Sequence, residues 1–204
     1  MKSKIAIYLA GSIQKGHELH ESYWSHNEME ILRNHLPDYL ISFLNPAFRS
    51  DDLSDQHSVF GRDMLQVYCS NIVFVDARNR RGLGVGAEMM WAKFNSIPVI
   101  TLAPKNTHYH KAETSLLGVP VDNWIHPFVE SLSDKIVETL EEGTECINQI
   151  FNNPSFKIKD INHVHDAMRH YQQHQLDNDL PMLDLISTNS ELYARVTRLM
   201  SDAS

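Results

Sequence analysis

Asn71-Ile72-Val73-Phe74-Val75-Asp76, a short polar loop, and then Arg81-Gly82-Leu83-Gly84-Val85-Gly86-Ala87-Glu88 together decide the fold of this 204-residue chain. The first segment is an unbroken apolar run closed by an aspartate. A strand buried on both faces reads this way, because the polar–apolar alternation disappears when neither face meets water. Residues 78–86 read as a glycine-rich loop, and a helix is expected over residues 85–95. Strand, loop and helix make half of a parallel crossover unit.

The same unit recurs on either side. Residues 5–10 (IAIYLA) form an earlier buried strand, ended by Gly11-Ser12, and a helix is expected over residues 20–35. Residues 39–44 (YLISFL) form the second strand, stopped by Asn45-Pro46, with a helix over 55–69 after it. Residues 97–102 (IPVITL) form the fourth, with Pro98 tolerable near its start. This repetition predicts an α/β fold, a flavodoxin- or Rossmann-like parallel sheet with helices on both faces. In such sheets ligands bind beyond the carboxyl ends of the strands. That rim holds Gly11-Ser12, Asn45-Pro46, Asp76 with its loop, and Ala103-Pro104.

After Pro104 the pattern loosens. Residues 107–113 read as an exposed loop and 122–127 (DNWIHP) as a turn or short strand. Residues 131–151 read as one amphipathic helix, with Gly143 interrupting it at a cost of about 1 kcal/mol relative to alanine. The chain after Asn152-Asn153-Pro154 is polar and histidine-rich, with helical patches over 166–175 and 190–200. The expected division is an α/β domain over 1–128 and a helical extension over 129–204, ending in an appendage or oligomerisation arm.

Bulk properties narrow the partners. A net charge of −8 argues against a nucleic-acid backbone, which needs a basic face, but leaves a mononucleotide possible. Two cysteines in a chain of this size suggest a reducing compartment. No secretory leader pattern opens the sequence, and no apolar run approaches the roughly 20 residues of a membrane span. A cytoplasmic protein with no membrane partner is expected.

Glu88 is the leading candidate for chemistry. Gly82, Gly84 and Gly86 let backbone approach a ligand, and a carboxylate at the start of a helix is held ionised by the dipole. Such a carboxylate beside a sugar can attack an anomeric carbon. Read alone, the same residues serve a tight turn and a helix cap equally well. Asp76 shares the rim with Glu88, and Asp63 lies on the preceding helix in Phe60-Gly61-Arg62-Asp63. A second carboxyl near the first is what protonation of a leaving group requires. Tyr8, late in the first strand, can line the same pocket, and Gly11-Ser12 can accompany backbone donors.

Tyr8-Leu9-Ala10-Gly11-Ser12-Ile13, Gly61-Arg62-Asp63, Asn71-Ile72-Val73-Phe74-Val75-Asp76 and Leu83-Gly84-Val85-Gly86-Ala87-Glu88 together resemble the nucleoside 2-deoxyribosyltransferase family. The resemblance runs over residues 5–102 and is greatest to the 2′-deoxynucleoside 5′-phosphate N-hydrolase branch. It implies that Glu88 is the nucleophile at C1′, that Asp63 assists with base or sugar, and that Tyr8 orients Glu88. It further implies a flavodoxin-like sheet in a homodimer or higher homo-oligomer. Asn71 stands where the family commonly has an aspartate, Gly82 where the hydrolases have a phosphate-binding serine, and Gln14 where they have an arginine. A free nucleoside and a 5′-monophosphate are therefore both open.

The expected function is cleavage or transfer of the N-glycosidic bond of a (deoxy)nucleoside or nucleoside 5′-monophosphate. The catalytic residues would be Glu88, Asp63 and Tyr8. Gly11, Ser12, Asp76, Gly82, Gly84 and Gly86 would bind the substrate, with no cofactor and no metal. The alternative is a non-catalytic nucleotide-binding module using the same pocket. A phosphoribohydrolase of the cytokinin-activating type ranks last, because its proline-glycine-glycine motif is missing. Asp166, His170 and His174 share a helix face at metal-ligand spacing, but no second ligand set accompanies them. Glu138, Glu141, Glu142 and Glu145 read as a solvated acidic face. Tyr23, Trp24, Phe48 and Trp91 could stack on a base, but read more readily as core or surface.

Overall fold

The computed structural model describes residues 2–12 and 24–201. Among these, the chain forms two compact units, Met1–Asp160 and Ile161–Ser204.

The first unit is a parallel sheet with helices on both faces. Strand β1 (Ser3–Ala10) leads to helix α1 (His26–His35), β2 (Tyr39–Leu44), α2 (Gln56–Tyr68) and β3 (Ile72–Asp76). Helix α3 (Leu83–Phe94) and β4 (Val99–Leu102) follow. Then come a hairpin, β5 (His110–Leu116) with β6 (Val119–Ile125), and α4 (Pro127–Leu132), β7 (Lys135–Val137) and α5 (Leu140–Asn152). The five-stranded sheet has the order β2-β1-β3-β4-β7, all pairs parallel. Its order reverses between β1 and β3, which makes the crevice above those two strands the favoured ligand position.

Alternate residues of the buried strands feed two cores, as the period of two requires. Ile7 and Leu9 of β1 and Ile72 and Phe74 of β3 pack under α1 and α5 with Leu32 and Ile147. Tyr8 and Ala10, with Val73 and Val75, face the opposite side and pack with Val67 of α2 and Val85, Met89 and Ala92 of α3. Tyr8 thus points towards the side that carries Asp63 and Glu88. Asn71 closes the β1–β3 ladder: its Oδ1 accepts from Ala6 N at 2.8 Å, and its own N donates to Ala6 O at 2.8 Å.

Helix starts follow side-chain capping. Ser25 accepts from Glu28 N while Glu28 accepts from Ser25 N, a capping box that opens α1. The helix expected from residue 20 therefore begins at His26, and residues 20–23 of that expectation lie outside the described residues. Asp55 caps α2 through Ser58 N, and Thr139 caps α5 through Glu142 N.

The region after Pro104 departs from the sequence reading. Residues 110–116 are a strand, and His110 is buried rather than exposed. Its ring bridges Ala103 O at 2.8 Å and Asn123 Oδ1 at 3.1 Å, pinning the hairpin to the end of β4. Leu117 and Gly118, both with positive φ, make the two-residue turn at its tip.

The single helix expected over 131–151 is instead α4, β7 and α5. Asp134 causes the break: its carboxylate accepts from Val99 N and Lys159 N, each at 2.6 Å, and pairs with the buried Lys93. The chain is thereby held beside β4, where Ile136 and its neighbours complete the sheet. Gly143 also has a different role from a helix interruption. A Cβ there would lie 2.4 Å from Phe74 Cζ, so glycine lets α5 approach β3. Because β7 and α5 belong to the sheet and its core, the α/β unit ends at Asp160, not at residue 128.

The second unit contains α6 (Ile161–His174), a single 3₁₀ turn, α7 (Leu180–Thr188) and α8 (Ser190–Ser201). Asp179 caps α7 and accepts from Tyr171 Oη at 2.7 Å, and Gln172 Nε2 donates to Val196 O at 2.7 Å. His170 and His174 stack at 4.3 Å between centroids. Among the described residues, no group of three or more His, Cys, Asp or Glu could hold a metal ion. No helix among them is long and apolar enough to cross a membrane.

Candidate active site

Tyr8, Asp63 and Glu88 come together on one face of the sheet. Tyr8 is fully buried near the end of β1, and its hydroxyl donates to Glu88 Oε1 at 2.8 Å. Glu88 is only 5% exposed, and its second oxygen, Oε2, is buried with no hydrogen-bond partner. A buried acceptor without a donor is a costly arrangement, of the kind that marks a position for a ligand or a reacting atom.

Glu88 differs in one respect from its expected state. Because α3 begins at Leu83, Glu88 lies in the second turn, where the helix dipole has largely faded. Burial dominates instead. It raises the carboxyl to about 7, opposed by the Tyr8 hydrogen bond and assisted by the charge of Asp63. The Tyr8 hydroxyl is pushed well above its ordinary range, first by burial and then by Glu88, so it remains a donor.

Asp63 is the second carboxyl of the cluster. Two guanidiniums face its Oδ1, Arg49 Nη1 at 3.4 Å and Arg62 Nη1 at 3.5 Å. Burial still raises its pKa, against the pull of both arginines. Arg49 is locked in turn by Asp51, through Nε at 2.8 Å and Nη2 at 2.5 Å. Arg62 Nη2 donates to Phe48 O at 2.8 Å, tying α2 to the loop after β2. Arg49 is a functional candidate that the sequence reading missed. Its signal was its place just beyond Asn45-Pro46, on the carboxyl-end rim.

Asp76 and Ser12 belong to a neighbouring network organised by arginines. The Asp76 carboxylate is 1% exposed and is engaged by Arg78 Nε at 2.9 Å and Arg81 Nη2 at 2.5 Å. Arg81 Nε donates to Asp76 O, Nη1 donates to Ser12 Oγ at 2.6 Å, and its backbone N donates to Tyr109 Oη at 2.9 Å. Arg78 also pairs with Glu28 at 2.6 Å. Asp76 therefore serves as the anchor of two arginines at the sheet's switch point. Arg81 itself was passed over among the glycines that follow it.

The glycines divide. Gly84 and Gly86 lie within α3, and Gly82 is its N-cap without a side-chain capping bond. A Cβ at Gly84 would come 3.9 Å from Glu88 Oε1, so its absence leaves space over the carboxylate. Gly82 and Gly86 face open space. Gly11 packs against Trp24, where a Cβ would stand 3.4 Å from Cδ1. Gln14, which stands where the hydrolases have an arginine, lies outside the described residues.

The aromatic candidates prove mostly structural. Trp24 is core, 5.1 Å from Phe74 between ring centroids, with Nε1 donating to Ala10 O at 3.0 Å. Trp91 Nε1 donates to Met64 O at 3.1 Å, and Phe48 stacks on His26 at 5.0 Å. Tyr23 lies outside the described residues. Compared with known proteins, the chain matches no family model and no curated protein.

Proposed function

We propose that this protein cleaves or transfers the N-glycosidic bond of a (deoxy)nucleoside or nucleoside 5′-monophosphate, with Glu88 as nucleophile. The observation that carries the reading is the Glu88 carboxylate itself. One oxygen is fixed by Tyr8 and the other is buried and unpartnered, with a second carboxyl close enough to perturb it. The parallel sheet and the ordered motifs around Tyr8, Asp63 and Glu88 agree with the family that the sequence resembles.

In this reading Glu88 Oε2 attacks C1′ while the bond from C1′ to the base nitrogen breaks. The electron pair leaves with the base, which takes a proton from Asp63, and a glycosyl ester remains on Glu88. Water or a second base then attacks C1′, gives its proton to Asp63 and releases the Glu88 carboxylate. The raised pKa of Asp63 suits a proton donor, and Tyr8 holds the nucleophile without competing for its free oxygen.

A binding module using the same pocket is the second reading, favoured by one fact. A Glu88 carboxyl at about 7 is partly protonated near neutrality, and a neutral carboxyl donates a hydrogen bond instead of attacking. The test is chromatography of ribo- and deoxynucleosides and their 5′-monophosphates after incubation with wild type and Glu88→Ala, with and without an acceptor base. Free base from wild type alone is expected. Binding of a nucleotide with no turnover would favour the module instead.

A further inference from the structure

A second concave site lies on another face of α3. It is a cavity of about 270 Å³, walled by Gly86 and Met89 of α3 and by Leu132 of α4, floored by Val75 and rimmed by Tyr109 and His126. Glu88 does not line it, since that side chain projects about a third of a turn away around the helix. The site is half open to solvent, and for scale a benzene ring occupies an engineered cavity of about 150 Å³. This cavity is therefore large enough for one or two fused rings.

Three features give the site a chemical character. Its walls are almost wholly apolar, and the charged residue at its edge, Arg81, has its guanidinium committed to Asp76 and Ser12. Gly86 lies inside a helix, where glycine is unfavourable relative to alanine, yet a Cβ there would meet nothing within 4 Å. Packing within the chain thus does not account for the missing methyl group, whereas room for a ligand does. Finally, His126 Nδ1 is buried without a hydrogen-bond partner, in a ring that stands edge-on to Tyr109 at 5.5 Å. Burial, with His108 nearby, lowers the pKa of His126 and favours the neutral imidazole.

We propose that this cavity binds an uncharged, planar heteroaromatic molecule of one or two rings, which lies against Met89 and Tyr109 and donates a hydrogen bond to His126 Nδ1. An ion would find no free counter-charge among the walls, and an aliphatic chain would leave His126 unpaired. The site does not depend on the glycosidic reading, because it is defined by binding and none of Tyr8, Asp63 and Glu88 lines it, although Gly82 and Gly86, expected from sequence to bind substrate, do.

The test is calorimetric titration of the full chain with indole and with 1-methylindole, which has lost the N–H donor. Indole is expected to bind one per chain in the micromolar to submillimolar range, and 1-methylindole at least tenfold more weakly. His126→Phe should bring indole down to the level of 1-methylindole. Gly86→Leu should fill the cavity and abolish both, with a melting temperature no lower than wild type; Val129 of α4 also lines the cavity, and Val129→Phe fills it from that wall if Gly86→Leu does not fold. No binding of indole to wild type at millimolar concentration would overturn the proposal. So would equal binding of the two indoles, or unchanged indole binding in the folded cavity-filling variant.

Discussion

Tyr8 and Glu88, 80 positions apart in sequence, meet through a 2.8 Å hydrogen bond inside the protein. This bond lowers the pKa of Glu88 against the larger effect of burial. Tyr8→Phe removes it and leaves both carboxylate oxygens without a donor. The acid limb of the kcat/KM profile, set by ionisation of Glu88, should move to higher pH. Stability at neutral pH should fall by about 1–2 kcal/mol, the usual loss for an abandoned buried hydrogen bond. A pH–rate profile and a thermal melt read the two effects separately, and an unmoved acid limb would remove Tyr8 from the role of positioning Glu88.

Glu88 also makes stability depend on pH. Its folded pKa of about 7 lies above the ordinary 4.5, so the folded state binds the proton more tightly than the unfolded state does. The contribution is therefore fully present below about 4.5 and is lost as pH rises through about 7. Glu88→Gln keeps an acceptor for Tyr8 and cannot ionise. At pH 8 it should be more stable than wild type by about 3–4 kcal/mol, on the scale of about 1.4 kcal/mol per pKa unit. At pH 4 the two should melt together. Melting curves at both pH values check this, and a constant difference would show that Glu88 does not titrate in this window.

Asp63→Asn tests the proton donor. Loss of a general acid lowers rates by about 10²- to 10⁴-fold, and the loss shrinks when the leaving group needs no proton. Turnover of natural nucleosides should fall within that range. Turnover of a 4-nitrophenyl 2-deoxyriboside should fall much less. Equal losses on both substrates would assign Asp63 to sugar binding.

Gly143→Ala tests the close approach of α5 to the sheet. Alanine gains about 1 kcal/mol in helix propensity, but its methyl collides with the Phe74 ring, and overpacking costs about 1–3 kcal/mol. With the added Cβ only 2.4 Å from Phe74 Cζ, the steric effect should win and the variant should melt lower. Phe74→Leu in the same chain should recover part of the loss. A Gly143→Ala variant more stable than wild type would mean that α5 shifts freely.

By itself the sequence determined the parallel sheet and the helices between its first four strands. Apolar runs such as Ile72 to Val75 can be satisfied only by burial on both faces, and caps such as Asp55 act on residues three places away. Tyr8, Asp63 and Glu88 were legible as candidates through the order of their motifs. The tertiary structure decided what lies further along. Residues 135–137 are too few to declare a strand, and they become one because Asp134 is held by Val99, Lys93 and Lys159, which are remote in sequence. The protonation state of Glu88 was likewise beyond the sequence, which shows the helix dipole but not the burial that outweighs it. The same holds for Arg49 beside Asp63 and Arg81 between Asp76 and Ser12. Their roles depend on pairings that exist only once β1, β2 and β3 lie side by side.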